Sequence, residues 1–177
     1  MQFIGYPKTT PISWLILQNM KKHTGFSLIE LMLMLAIVGI VVAFGMPKIT
    51  GVLENNRIVT YVNLLSANLS YARSESVKRG VQVLVISNSG DNNWLNGWTV
   101  YIDADNNNAV TAGEELRIVD PLGLKNTTLT GPPGNVIYSP DGSVNAVTSF
   151  QFNSAGMYPT RDVNITITGK VDIVVTY

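Results

Sequence analysis

The chain has 177 residues and a mass of 19.3 kDa, with 12 Lys+Arg balancing 12 Asp+Glu and charged residues at only 14%, against about a quarter in soluble globular domains. It contains no cysteine and a single histidine, His23, which excludes disulfides, thiolate metal sites and cysteine nucleophiles. Cutting the chain after His23 would remove imidazole chemistry as well, so composition argues against a hydrolase and against an enzyme in general.

In chain order, the first 25 residues carry Lys8, Lys21, Lys22 and no acid. Residues 26–46 read FSLIELMLMLAIVGIVVAFGM, with Glu30 the only charge. At about 1.5 Å per residue a helix of this length spans roughly 31 Å, enough for a hydrocarbon core. Basic residues on its short side orient it with the N-terminus cytoplasmic and the remainder translocated, as a single-pass membrane protein or a precursor that was one. Three readings fit the apolar run: a secretory signal cut near Ala43-Phe44-Gly45, a plain membrane anchor, or a segment that uses Glu30. A carboxylate five residues into such a run costs a few kcal/mol on insertion and needs a partner. Ser27-Leu28-Ile29-Glu30 also has the spacing of a capping box.

The stretch Lys21-Lys22-His23-Thr24-Gly25-Phe26-Ser27-Leu28-Ile29-Glu30-Leu31 resembles the class III signal of type IV pilins and secretion pseudopilins. That pattern is a basic leader ending in Gly, an aromatic residue, an apolar run, and Glu fifth after the cut. The resemblance implies cleavage by a prepilin peptidase between Gly25 and Phe26 and methylation of the new Phe26 amine. It also implies pairing of Glu30 with the Phe26 amine of a neighbouring subunit, and a helix-bending role for Pro47. A buried carboxylate paired with a cation is far cheaper than a lone one. Met20 would open a complete short leader, so either Met20 is the true start or residues 1–19 are discarded with the rest.

Beyond Pro47 the pattern remains helical. Ile58, Val62, Leu65, Leu69 and Ala72 recur every three or four residues, with Asn55, Asn56, Asn63, Asn68 and Arg73 at other positions. Lys78, Arg79 and Gly80 form a C-terminal signal. From Val81 the expected elements are strands: Val81–Ser87, Gly97–Asp103, Glu115–Val119, Val136–Ser139, Ser149–Asn153, Val163–Thr168 and Val171–Thr176. The last two form a hairpin through Thr168-Gly169-Lys170. The domain plan is a leader (1–25), a transmembrane half-helix (26–46), an amphipathic half-helix (47–80) and an antiparallel β domain (81–177). The class is α+β, with a long N-terminal helix packed on a C-terminal sheet domain.

Ala72-Arg73-Ser74-Glu75-Ser76-Val77-Lys78-Arg79-Gly80, then Gly97-Trp98-Thr99-Val100-Tyr101-Ile102-Asp103 and Glu115-Leu116-Arg117, are similar to the GspH/FimT branch of minor pilins and pseudopilins. The weakest stretch is Leu122–Pro133. The resemblance implies a pilin-like fold and a structural subunit that works by assembly. Its partners would be other pilins or pseudopilins, the prepilin peptidase and an inner-membrane assembly platform. A type IV pilus is the first setting, a type II secretion system the alternative.

Two further constellations invite a ligand. Asp103, Asp105, Asn107 and Glu114 stand at positions one, three, five and twelve of an EF-hand-like loop, with Asn108 where glycine is required. Calcium there competes with a solvated Asp/Asn turn; no other cofactor is implied. Some relatives look like DNA receptors with a Gly-Arg-x-Arg pattern near the C-terminus, matched here by Gly169-Lys170-Val171-Asp172. Arg161 is the other candidate contact. A chain cut after Gly25 carries 9 basic and 12 acidic side chains, a net of −3, which disfavours phosphate binding. Trp94, Trp98 and Tyr101 are either a stacking surface or core.

Overall fold

The computed structural model describes residues 25–104, 107, 109–155 and 158–177, without the side chains of 45–50. Contacts divide the chain into two units, Met1–Met46 and Pro47–Tyr177. Helix α1 (Leu28–Arg79) carries residues of both.

In the second unit the apolar stripe read from the sequence is the buried face of α1: Ile58, Val62, Leu65, Leu69 and Ala72 are all at most 2% exposed. The helix stops where Gly80 takes φ +68° and donates its N–H to the Ser76 carbonyl at 2.9 Å. That left-handed conformation costs little only for residues such as glycine. Within the last turns Glu75 is buried, and its carboxylate accepts from Arg79 Nε with Lys78 Nζ 3.7 Å away. The Arg79 hydrogen bond is the main cause holding the Glu75 carboxyl below its ordinary 4.5. A depressed acid stabilises the fold at neutral pH and loses that contribution as pH falls through its folded value. The melting-temperature gap between wild type and Glu75→Gln, measured on the full chain in detergent, is therefore expected to shrink between pH 7 and pH 3.

Among the described residues eight strands follow: β1 (Val83–Ser87), β2 (Trp98–Tyr101), β3 (Glu115–Val119), β4 (Thr128–Thr130), β5 (Val136–Tyr138), β6 (Thr148–Asn153), β7 (Thr160–Ile165) and β8 (Val171–Thr176). They form two four-stranded antiparallel sheets, ordered β3-β2-β1-β5 and β4-β6-β7-β8. Both sheets contribute to one core with α1: Val83, Val85, Trp98 and Val100 from the first, Leu129, Phe150, Phe152, Val163 and Ile165 from the second. Trp94 is fully buried and meets Phe150 edge-on at 4.6 Å, while its indole N–H donates to the Pro132 carbonyl at 3.1 Å. With Trp98 and Tyr101 also at 0% exposure, the aromatic trio is core. Burial and the nearby Asp103 carboxylate push the Tyr101 phenol up to about 12.

Several polar side chains of α1 reach the sheet domain, its strands or its turns, instead of solvent; Asn55, Asn68 and Arg73 are three of them. Asn55 Oδ1 accepts from Arg161 Nη2 at 2.9 Å. Asn68, only 1% exposed, accepts from Arg117 Nη1 at 3.2 Å, and the Arg117 guanidinium lies 3.9 Å from the Tyr71 ring centroid. Arg73 Nε donates to the Gly142 carbonyl at 3.0 Å. They supply directional ties in a chain without disulfides.

Candidate functional site

The N-terminal segment is built around one cap. Ser27 Oγ accepts the Glu30 N–H at 3.2 Å, and the Ser27 carbonyl accepts the N–H groups of Glu30 and Leu31, each at 3.1 Å. Helix α1 thus starts at Leu28 with Ser27 at its N-cap and Glu30 in its first turn, where a carboxylate meets the positive end of the helix dipole. Every side chain described from Phe26 to Phe44 is exposed, and the aliphatic ones include Leu28 and Ile29 at 77%.

Among the described residues no helix is long and apolar enough to cross a membrane. Helix α1 begins at Leu28, two residues into the segment 26–46, whose side chains are described as far as Phe44. Pro47 falls within α1, but its side chain, like the leader residues 1–24 with Met20, lies outside the description. Gly25 precedes the cap, with nothing within 4 Å of where a Cβ would stand.

The two residues read as DNA contacts are occupied otherwise. Arg161, expected at the surface, is 8% exposed on the core face of β7 beside Val163 and Ile165. Its guanidinium donates to Asn55 and, at 3.2 Å, to the Pro159 carbonyl. Burying the aliphatic stem while the head finds fixed acceptors is the ordinary use of arginine in a strand that faces a core. Lys170 is exposed, but its Nζ lies 2.8 Å from Asp172 Oδ1. Neither presents an uncommitted cation to a phosphate.

In the acidic loop, Asp103 Oδ1 accepts the Asn107 N–H at 2.9 Å, and Asn107 Oδ1 accepts the Ala109 N–H at 2.7 Å. The Glu114 carboxylate takes the N–H groups of Ala104 and Thr111, at 2.8 and 3.1 Å. These oxygens close the loop on its own backbone, the turn chemistry of Asp, Asn and Glu. Asp105 lies outside the described residues; among those described, no group of three or more His, Cys, Asp or Glu could hold a metal ion.

Sequence reading missed the use of Asn55, Asn68 and Arg73. The available signal was position: all three flank the apolar stripe of α1 and do not oppose it.

Residues 61–169 match the family model described as Type II transport protein GspH, and residues 20–46 match the prokaryotic N-terminal methylation motif. No curated protein matches the chain. Two crystal forms of the type IV minor pilin FimU of Pseudomonas aeruginosa share the fold. The first has a TM-score of 0.55 and 20% identity over 68% of this chain and 90% of FimU. The second has a TM-score of 0.54 and 19% identity over 65% and 90%.

Proposed function

The chain belongs to the GspH family of type II transport proteins, and from that premise we propose that it is a minor, pilin-like structural subunit that takes part in type IV pilus assembly, at initiation or at the tip. The carrying observation is the N-terminal motif match joined to a helix whose described apolar side chains from Leu28 to Phe44 are all exposed. In water such a surface is untenable; in lipid and then among neighbouring helices it is satisfied.

On this reading the leader is removed after Gly25, the Phe26 amine is methylated, and the subunit waits in the inner membrane with its sheet domain outside. Glu30 then faces the terminal amine of a neighbour. The partners are other pilin-like subunits, and the work is assembly; no reaction is assigned to the chain. The family description favours one second reading, a pseudopilin of a type II secretion system. The measurement that separates them is sheared surface pili from a strain lacking the gene. Loss of pili, restored by the wild-type gene, supports pilus initiation. Normal pili with lost exoprotein secretion overturn it for the pseudopilin, and lost DNA uptake alone overturns both.

A further inference from the structure

The free edge of a β-sheet presents unpaired N–H and C=O groups, and folded chains cover or blunt such edges. The two sheets have four edges, and this chain treats them unequally. Beyond β5, Val144 bridges Tyr138, the Asn145 N–H donates to the Ile137 carbonyl at 3.1 Å, and Asn145 Oδ1 accepts the Ile137 N–H at 3.2 Å. Asn145 stands in for a missing strand. Beyond β4, Asn93 bridges Thr130 and the Gly131 N–H donates to the Asn92 carbonyl at 3.1 Å. Strand β3 carries Glu115 and Arg117, and its ladder with β2 slips at Val100/Tyr101.

Among the described residues, strand β8 has none of these devices. It reads VDIVVT, its ladder with β7 runs without a slip, and its one charge, Asp172, is paired with Lys170. The turn fixes which of its groups face outward. The Thr166 N–H donates to the Lys170 carbonyl at 3.0 Å, so 166 and 170 are a hydrogen-bonded pair. Alternation along an antiparallel ladder then directs Asp172, Val174 and Thr176 to β7, and the N–H and C=O groups of Val171, Ile173 and Val175 away from it. The Ile173 and Val175 side chains, 42% and 43% exposed, share the sheet face of the buried Val163 and Arg161 opposite them. A strand added at β8 would therefore find main-chain partners and extend an apolar core face.

We propose that β8 is a docking edge that accepts an extended strand from a different pilin-like subunit, by main-chain hydrogen bonds at Val171, Ile173 and Val175. The inference rests on the subunit reading above. A second copy of this chain fits poorly. A head-to-tail contact joins two different surfaces, and of this chain's other edges two are closed by its own backbone and the third is charged and slipped. Pairing of β8 with β8 is a closed two-fold contact that ends at a dimer. The complementary strand belongs to another sequence, which suits a subunit that does not polymerise with itself.

The test uses the full chain in its own membrane. Benzoylphenylalanine in place of Ile173 is expected to yield, on irradiation, an adduct whose partner peptide comes from a different polypeptide bearing the N-terminal methylation motif. An adduct to a second copy, or none, overturns the proposal. Ile173→Pro removes an outward donor while leaving the β7–β8 bonds in place. It is expected to keep its membrane level and lose at least tenfold in filament incorporation; wild-type incorporation overturns the proposal. Should that variant not accumulate, Val175→Lys, which keeps every backbone donor but charges the edge, decides by the same readout. Absence of the wild-type chain itself from filaments strikes the subunit reading instead, and the adduct formed in the membrane then judges the edge separately.

Discussion

Gly97→Ala is expected to unfold the sheet domain at growth temperature. Gly97 joins the 3-10 turn Trp94–Asn96 to β2 at φ +84° and ψ −175°, a region essentially reserved for glycine that costs an L-residue about 1–3 kcal/mol. Its added Cβ would lie 1.9 Å from the Val119 carbonyl oxygen and 2.9 Å from the Asp120 carbonyl carbon, both backbone atoms. Relief requires β2 and β3 to part, which breaks the Trp98–Val119 end of their ladder and loosens a tryptophan at 0% exposure. Conformation and overpacking together should exceed about 4 kcal/mol, a large share of a domain's net stability. Gly90→Ala is the matched control. Gly90 has φ +70° but nothing within 4 Å of its Cβ position, so only the conformational cost of about 1–2 kcal/mol applies. Protease resistance of the full chain in membranes should separate the two variants. Equal resistance would mean that the close approach to β3 is not what demands glycine.

The second large effect is at Glu30, where two roles coincide on one carboxylate. The structure places it in the first turn of α1, its N–H capped by Ser27, a position where Glu and Gln both serve a capping box. The proposed assembly role needs the negative charge, as partner to a neighbour's terminal amine. Glu30→Gln separates them. If charge pairing governs, Glu30→Gln behaves like Glu30→Ala, with membrane insertion intact and filament incorporation reduced at least tenfold; a lost charged partner in a low-dielectric setting costs several kcal/mol. If capping governs, Glu30→Gln assembles normally and only Glu30→Ala shows a defect, of the 0.3–1 kcal/mol typical of helix-end charges. We expect the first result, measured as the ratio of sheared to membrane-bound chain.

The elements most legible in the sequence were those with a long, one-sided pattern. The stripe Ile58–Ala72 could be nothing but a buried helix face, and Glu115–Val119 and Val171–Thr176 were read to the residue. Strand β4 was not read, because Thr128-Leu129-Thr130 is too short to show a period, and only pairing with β6 makes it a strand. The start of β7 was hidden for another reason. Arg161 and Asp162 look like loop residues, yet Arg161 takes an inward position and lays its stem in the core. Nor could one dimension reveal that the strands divide into two sheets. The candidate site divides along the same line: Ser27 and Glu30, three residues apart, and Lys170 and Asp172, two apart, are local and were legible, whereas the fate of Arg161 depends on Asn55, 106 residues away, which only the fold brings near.

Three of the polar ties of α1 also set a timetable. Asn68, Arg73 and Asn55 wait for partners 49, 69 and 106 residues further along the chain. A polypeptide emerging N-terminus first therefore delivers its helix long before the last of the groups that anchor it. Such long-range contacts slow folding, because the intervening chain must be ordered before they can form. Until β7 arrives with Arg161, the apolar stripe of the helix has only part of its cover. The helix is thus the first element made and the last one secured, so a chaperone acting on this protein before it folds would find its target in the stripe from Ile58 to Ala72.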